Sequence, residues 1–244
     1  IILIWIPMAR RKSLAFLDVG QGDCFVADTK SGAIIFDGGS SSEDQVGRYR
    51  ILPYMKYLGY QKIQIAVISH MDIDHYSGIK ELLEMGKIKY LGLPEIPKDE
   101  TMKKIIGIAK KRGTTIFYLS RGRQITTKDG SLKVLHPQKN SQMEKNAASL
   151  VMQGKILGYR VLLTGDVEKE GEEELLSEEL ERADILKAAH HGSKNSTSNE
   201  FLQKVQPKQT VISCGKQNRY GHPHLETIHR LQTYRTKIYS TDRS

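Results

Sequence analysis

SHMDIDH, residues 69–75, places two histidines and two aspartates within six consecutive positions, as His70-x-Asp72-x-Asp74-His75. Imidazole and carboxylate are both good ligands for divalent first-row metals, so the stretch reads as half of a metal site. It ends IQIAVIS (63–69), a nearly continuous apolar run suited to a strand buried on both faces. YSGIKELLEMG (76–86) follows, with helical apolar spacing and a stop at Gly86. Ligands at a strand-to-helix junction project from a loop held by rigid elements, as a site that must not move requires. The plainer alternative is that Asp74 caps the helix and the histidines are incidental.

Outward from this stretch the chain is β-rich on both sides. SLAFLDVGQGDCFVADT (13–29) reads as two strands around a Gly-rich turn, and AIIFDGG (33–39) contains a third. Residues 44–58 suggest a helix that Pro53 kinks or restarts. Residues 99–112 carry Met102, Ile105, Ile106 and Ala109 on one helical stripe, with Gly113 as the stop. Strands return in SLKVLHP (131–137), ASLVMQ (148–153), ILGYRVLLTGD (156–166), ILKAAHH (185–191) and TVISC (210–214). Helices are expected near 168–182 and 225–235. Two batches of strands, each with helices attached, predict a layered α/β sandwich rather than a strictly alternating doubly wound sheet.

The 244 residues are 39% hydrophobic and 27% charged, ordinary for one soluble globular domain with a sizeable core. The net charge of +9 is not ordinary and favours a polyanionic partner, nucleic acid or an anionic membrane surface. Charge is uneven. Segment 168–182 has eight acids against two bases and reads as a solvated outer helix, whereas 200–244 has eight Lys/Arg against three acids. A polyanion is therefore expected near the C-terminal third, with Lys216 and Arg219, and earlier in the chain Arg121 and Arg123, as candidate contacts. Cys24 and Cys214 both lie in apolar stretches and read as buried thiols, one bridge between them staying open. IILIWIPMARRK reads as the end of a membrane segment with a basic flank, a first buried strand, or the tail of a signal peptide. The expected division is 1–12 as tail or linker and 13–244 as one domain.

The motif is similar to the HxHxDH signature of the metallo-β-lactamase fold, with Asp72 where a second histidine is usual. DVGQGD, SHMDIDH, NAAS, LLTGD, LKAAHHGS and NRYGHPH together resemble, in order and character, the C-terminal domain of the ComEC family of competence DNA-uptake channels. The resemblance runs from about Leu14 to the end. It implies an αββα sandwich of two mixed sheets flanked by helices, and a nuclease that degrades the non-imported strand. It also implies an extracellular-facing domain of a bacterial cell-membrane protein, beside that protein's transmembrane channel portion and monomeric in isolation. The implied centre holds two divalent ions. His70, Asp72 and Asn146 would ligate one, and Asp74, His75 and one of His190/His191 the other. Asp166 would bridge them, and Asp37 would orient the first ligands.

Gln21 and Asp23, in a turn allowed by Gly20 and Gly22, are expected to face the metals or to hold the turn. His222 is the candidate proton donor or phosphate ligand, and Lys187 either neutralises the phosphate or pairs with a site carboxylate. Oxygen ligands at Asp72 and Asn146 shift the expected metal from zinc toward manganese or magnesium, with Mn²⁺ favoured and zinc an alternative occupant. Two readings compete with the nuclease: a membrane-tethered phosphodiesterase for a small molecule, and a non-catalytic domain that guides DNA.

Overall fold

A computed structural model of the chain describes residues 12–144 and 146–243. The expected tail at 1–12 lies, but for Lys12, outside the described residues.

The first sheet contains β1 (Leu14–Phe16), β2 (Phe25–Thr29), β3 (Gly32–Phe36), β4 (Ile63–Val67), β5 (Ile88–Pro94) and β6 (Thr115–Leu119) in that spatial order. Its first three strands are antiparallel, and β3 to β6 are parallel. The second sheet runs in the order β13 to β7, from β13 (Lys237–Ser240), β12 (Gln209–Ile212), β11 (Ile185–Lys187) and β10 (Tyr159–Leu163) to β9 (Val151–Ile156), β8 (Gly130–His136) and β7 (Gln124–Thr127). Here β7 to β10 are antiparallel and β10 to β13 parallel.

Period-two alternation assigns each face. Phe25, Ala27, Ile34 and Phe36 point to one core, shared with Val134, Met152, Val161 and Leu163 of the other sheet. Val26, Ala33 and Ile35, one residue out of step, pack instead with Ile79, Leu82 and Leu83 of α2 (Ile73–Glu84) and Met102 and Ile105 of α3 (Glu100–Lys111). On the far side, Leu162, Leu186 and Ile212 meet Leu175 of α4 (Lys169–Leu176), Phe201 of α5 (Asn199–Val205) and Leu231 of α6 (Leu225–Thr233). The result is the expected αββα sandwich of two mixed sheets. Among the described residues no helix is long and apolar enough to cross a membrane.

Three local expectations change. ILGYRVLLTGD is not one strand: Leu157 (φ 51°) and Gly158 (φ 88°) form a two-residue hairpin turn between β9 and β10. Positive φ at both central residues suits a right-twisted hairpin, and a leucine there disguises the turn. The 44–58 segment begins as a π turn at Gly47–Ile51, and Pro53 falls in the first two residues of α1 (Leu52–Tyr57). The acidic helix is only Lys169–Leu176, and it is not wholly solvated. Glu172 is 3% exposed and accepts the backbone N–H groups of Thr197 and Ser198, in the loop that follows the HHGS turn. β5, β6, β7 and α5 have no counterpart in the sequence reading. They are short or carry mixed polar faces, so periodicity alone does not expose them.

Glu172→Ala leaves two backbone donors without an acceptor in a mostly buried turn, and should lower unfolding stability by about 2–3 kcal/mol in urea titrations. Asp184 ties β10 to β12 by accepting from the Arg160 backbone (2.9 Å) and from Lys208 (2.8 Å), and these contacts hold its carboxyl down at about 2. A carboxyl lowered in the folded state contributes stability above its unfolded pKa and loses it as pH falls through the folded one. Asp184→Asn should therefore cost roughly 1 kcal/mol at pH 7, discounted for partial exposure. The gap to wild type should close as pH falls from 4 toward 2 in chemical-denaturation curves.

Candidate metal centre

Of the candidate ligands, all but Asn146 and Asp23 lie just beyond the carboxyl end of a strand in the parallel part of a sheet. Asp37 follows β3, the SHMDIDH loop follows β4, Asp166 follows β10, and His190 and His191 follow β11. In open α/β sheets the crevice beyond these ends is where ligands bind. Closeness is allowed by Gly22: a Cβ there would stand 2.2 Å from the Gly39 carbonyl oxygen and 2.6 Å from that of Asp74. The DVGQGD loop can thus lie directly against the start of α2, where the Asp23 N–H donates to the Asp74 carbonyl at 3.1 Å.

Asp166 is the focus. Its Oδ2 stands 3.1 Å from His75 Nε2, 3.2 Å from His191 Nε2 and 3.9 Å from His190 Nε2. Asp74 Oδ2 is 3.4 Å from His191 Nε2. Ligand atoms of His70, His75 and Asp166 lie within 4.8 Å of one another, as do those of Asp74, His75 and His191, and of Asp23, Asp166 and His191. The Nε2 atoms of His70, His75 and His191 are buried without a hydrogen-bond partner. Their other nitrogens are all engaged. His75 Nδ1 bonds Asp37 Oδ2 (3.0 Å), His70 Nδ1 bonds Ser69 Oγ (3.0 Å), and His191 Nδ1 donates to the Ser213 carbonyl (2.8 Å). Asp37 is itself held by the Ser69 N–H at 2.7 Å. Pinning Nδ1 leaves Nε2 as the inward lone pair, the arrangement of a metal-binding imidazole. The residues fit divalent cations.

Electrostatics agree. Burial alone raises a carboxyl and lowers an imidazole. At Asp166 burial is outweighed by His191, His75 and Lys187, which hold it well below the usual carboxylate range. Asp23 is held at about 2, Lys187 and His191 outweighing burial. His75 and His191 are lifted well above their ordinary values, the Asp166 carboxylate overcoming burial at each. His70 goes the other way, burial and the neighbouring His75 pushing it down to about 3. A divalent cation bound among such groups would compete with protons for the same lone pairs.

His190 and His191 are placed differently by the backbone. His190 (φ 47°), His191 (φ 52°) and Gly192 (φ 81°) are three consecutive left-handed residues. Such positions cost non-glycine residues about 1 kcal/mol or more each, so the turn is held by its surroundings. It buries His191 and leaves His190 partly exposed at the cleft, where His190 Nδ1 bonds Glu168 Oε1 at 2.7 Å. His190 is thus not among the closely gathered groups. Asp72 sits at the N-cap position of α2 without a side-chain capping bond, its carboxylate 3.7 Å from His70 Nε2 and its side chain 36% exposed. Asp72 and Asn146 line a cleft of about 260 Å³ together with Asp166, His190 and His222.

Of the two roles expected of Lys187, its contacts are those of pairing with site carboxylates. Lys187 is buried, with Nζ donating to the Gly165 carbonyl (2.8 Å) and paired with Asp166 (3.3 Å) and Asp23. A lysine so enclosed by carboxylates is not a nucleic-acid contact; it offsets the negative charge of the centre. Arg121 is likewise engaged, by Glu174 (2.7 Å) and Glu178 (2.9 Å). Arg219 lines the cleft, and Lys216 is exposed in the same loop. Burial and the neighbouring imidazoles push His222 down to about 4. Cys24 and Cys214 are free and buried. Sequence reasoning missed Glu168, Ser69, Ser213 and Tyr220. Their roles depend on contacts across the fold, and no local pattern marks them.

Residues 17–216 match the family described as "Metallo-beta-lactamase superfamily". The chain is 34% identical over 263 residues to ComE operon protein 3 of Bacillus subtilis, covering 100% of this chain and 34% of that protein. It is 29% identical to Competence protein ComA of Neisseria gonorrhoeae, covering 93% of this chain and 30% of that one. The chain therefore spans about a third of the length of these curated relatives. Among solved structures, the metallo-beta-lactamase fold protein YhfI from Bacillus subtilis matches with a TM-score of 0.62 at 13% identity, over 93% of this chain and 96% of that one. That likeness is one of fold.

Metal-free protein should gain thermal stability on adding Mn²⁺ or Zn²⁺, by about 2.7 kcal/mol at a hundredfold excess over Kd. Asp37→Asn should weaken metal binding by roughly 10- to 100-fold in calorimetric titrations while leaving the far-UV spectrum unchanged.

Proposed function

The chain belongs to the metallo-beta-lactamase superfamily, a fold typical of metal-dependent hydrolases, and from that premise we propose that it is a two-metal DNA phosphodiesterase, the nuclease domain of a competence DNA-uptake channel. The observation that carries the reading is the set of three buried, unbonded Nε2 atoms gathered around Asp166 and Asp74. A domain that only guides DNA needs positive charge, and has no use for an enclosed cluster of carboxylates and imidazoles. The net charge of +9 and the similarity to a protein named for competence favour DNA over a small phosphodiester.

In this reading His70, Asp72 and Asn146 would hold one divalent ion. Asp74, His75 and His191 would hold the second, and Asp166 would touch both. When bound, two such ions supply a nucleophile at neutral pH and Lewis-acid stabilisation of the entering and leaving oxygens. Asp37 and Ser213 keep the imidazoles in the ligating tautomer. Lys187 keeps Asp23 and Asp166 ionised side by side. His222, neutral at pH 7, serves as an N–H donor to a phosphate oxygen rather than as a proton source. Arg219 and Lys216 meet the strand on its way to the cleft. Oxygen donors at Asp72 and Asn146 favour Mn²⁺, with Zn²⁺ or Mg²⁺ as alternative occupants. A domain covering a third of longer relatives fits attachment to a membrane channel portion, facing outward where incoming DNA arrives.

With Mn²⁺ present, purified protein should cleave end-labelled DNA, and Asp74→Ala and Asp166→Ala should each lower kcat/KM by roughly a thousandfold. Cleavage with zinc but never with manganese would refute the metal assignment. Hydrolysis of a small phosphodiester with no cleavage of DNA would refute the substrate.

A further inference from the structure

The mouth of the cleft differs in chemistry from its floor. Asp166, 3% exposed, lies at the buried end of the lining, but Ile73 and Tyr220 also line the cleft and are 53% and 43% exposed. An isolated exposed isoleucine needs no explanation. This one stands between two candidate ligands, at a position whose neighbours are both turned to the cleft.

Tyr220 is more elaborately placed. Its ring lies nearly parallel to His222, with centroids 5.7 Å apart and planes 20° apart, and His222 meets His224 edge-on at 5.0 Å. The Arg219 guanidinium lies over the Tyr220 ring at 4.8 Å and donates to its hydroxyl at 2.6 Å. Below, Asn218 Oδ1 accepts the backbone N–H groups of both Tyr220 (3.1 Å) and His222 (3.0 Å), which sets the loop. An exposed aromatic is thus preorganised beside a cation at the entrance to a phosphate-handling cleft. Contact with a sugar–phosphate backbone requires only the cation. An aromatic face and an apolar side chain add something for a flat, partly apolar group, and along a nucleic-acid strand that group is the base. In a duplex the base faces are hidden in the stack; in a single strand they are open.

We propose that Tyr220, with Arg219 against it, and Ile73 form a base-holding mouth that makes this centre select single-stranded DNA over duplex. The inference rests on the phosphodiesterase reading for the identity of the polymer and adds which form of it is taken. Arg219 contributes charge to the phosphate and cation–π contact to the base, while Ile73 packs against base or sugar from the ligand loop. The carboxylates deeper in the cleft then meet a phosphate whose base is already held.

The test is binding without turnover. Fluorescence anisotropy in EDTA compares a labelled oligothymidine 12-mer, the same strand with abasic residues, and a 12-base-pair duplex. Wild type should bind the base-bearing strand roughly tenfold tighter than the abasic one, and tighter than the duplex. Tyr220→Ala should bring the base-to-abasic ratio to about one, Tyr220→Trp should restore it, and Ile73→Ser should reduce it severalfold less. A general loss of structure would weaken both strands together and leave the ratio standing, so the ratio isolates stacking. Equal wild-type affinity for base-bearing and abasic strands overturns the proposal, as does a duplex bound as tightly as the single strand, or a Tyr220→Ala variant that keeps the full ratio. Because no hydrolysis is read, a preserved ratio beside absent Mn²⁺-dependent cleavage would refute the phosphodiesterase reading while leaving the base-holding mouth in place.

Discussion

Asp166 faces two imidazoles at 3.1 and 3.2 Å and an ammonium at 3.3 Å, and all four groups are buried. Charged and polar groups gathered in this way are costly to bury, and removing one partner leaves the others uncompensated. The surrounding structure is therefore a set of restraints on this cluster. Asp37 and Ser213 hold the imidazoles from behind, Lys187 balances Asp23 and Asp166, and Glu172 secures the turn after His191. A divalent cation would offset this crowding with a charge that the inward lone pairs can share.

The sandwich supplies these restraints because both sheets switch from antiparallel to parallel strands. Parallel strands send consecutive chain segments out at the same end, so loops distant in sequence are delivered to one crevice. Asp37 and His75 are 38 residues apart yet 3.0 Å from each other, and Ser213 Oγ donates to the Gly22 carbonyl across 191 residues. The inter-sheet core of Phe25, Phe36, Val134 and Val161 fixes the spacing from below. The π turn before α1 and the left-handed His190-His191-Gly192 turn are the irregular pieces. Irregular backbone near a cleft is where a rigid scaffold aims side chains.

Much of this was legible in the residues. The strands on either side of DVGQGD, the strand and helix around SHMDIDH, and the stripe of α3 follow from hydrophobic period and from Gly stops. The ligand types followed from the motif. What periodicity missed were β5, β6, β7 and α5, whose polar positions dilute the pattern, and the hairpin at Leu157, where a residue common in strands takes a positive φ. The acidic segment misled for a related reason: composition averages over a helix, and a single buried Glu172 does not show in the average.

The sequence by itself determined the layered architecture and the presence of a His/Asp cluster able to hold divalent metal, because these depend on residue type and local order. Only the tertiary structure decided that His191 is buried while His190 stays partly exposed, that Lys187 is spent on Asp23 and Asp166, and that Tyr220 and Ile73 line the same cleft. Those outcomes depend on backbone angles and on contacts between loops far apart in the chain. A one-dimensional pattern contains the groups but not the directions in which they face.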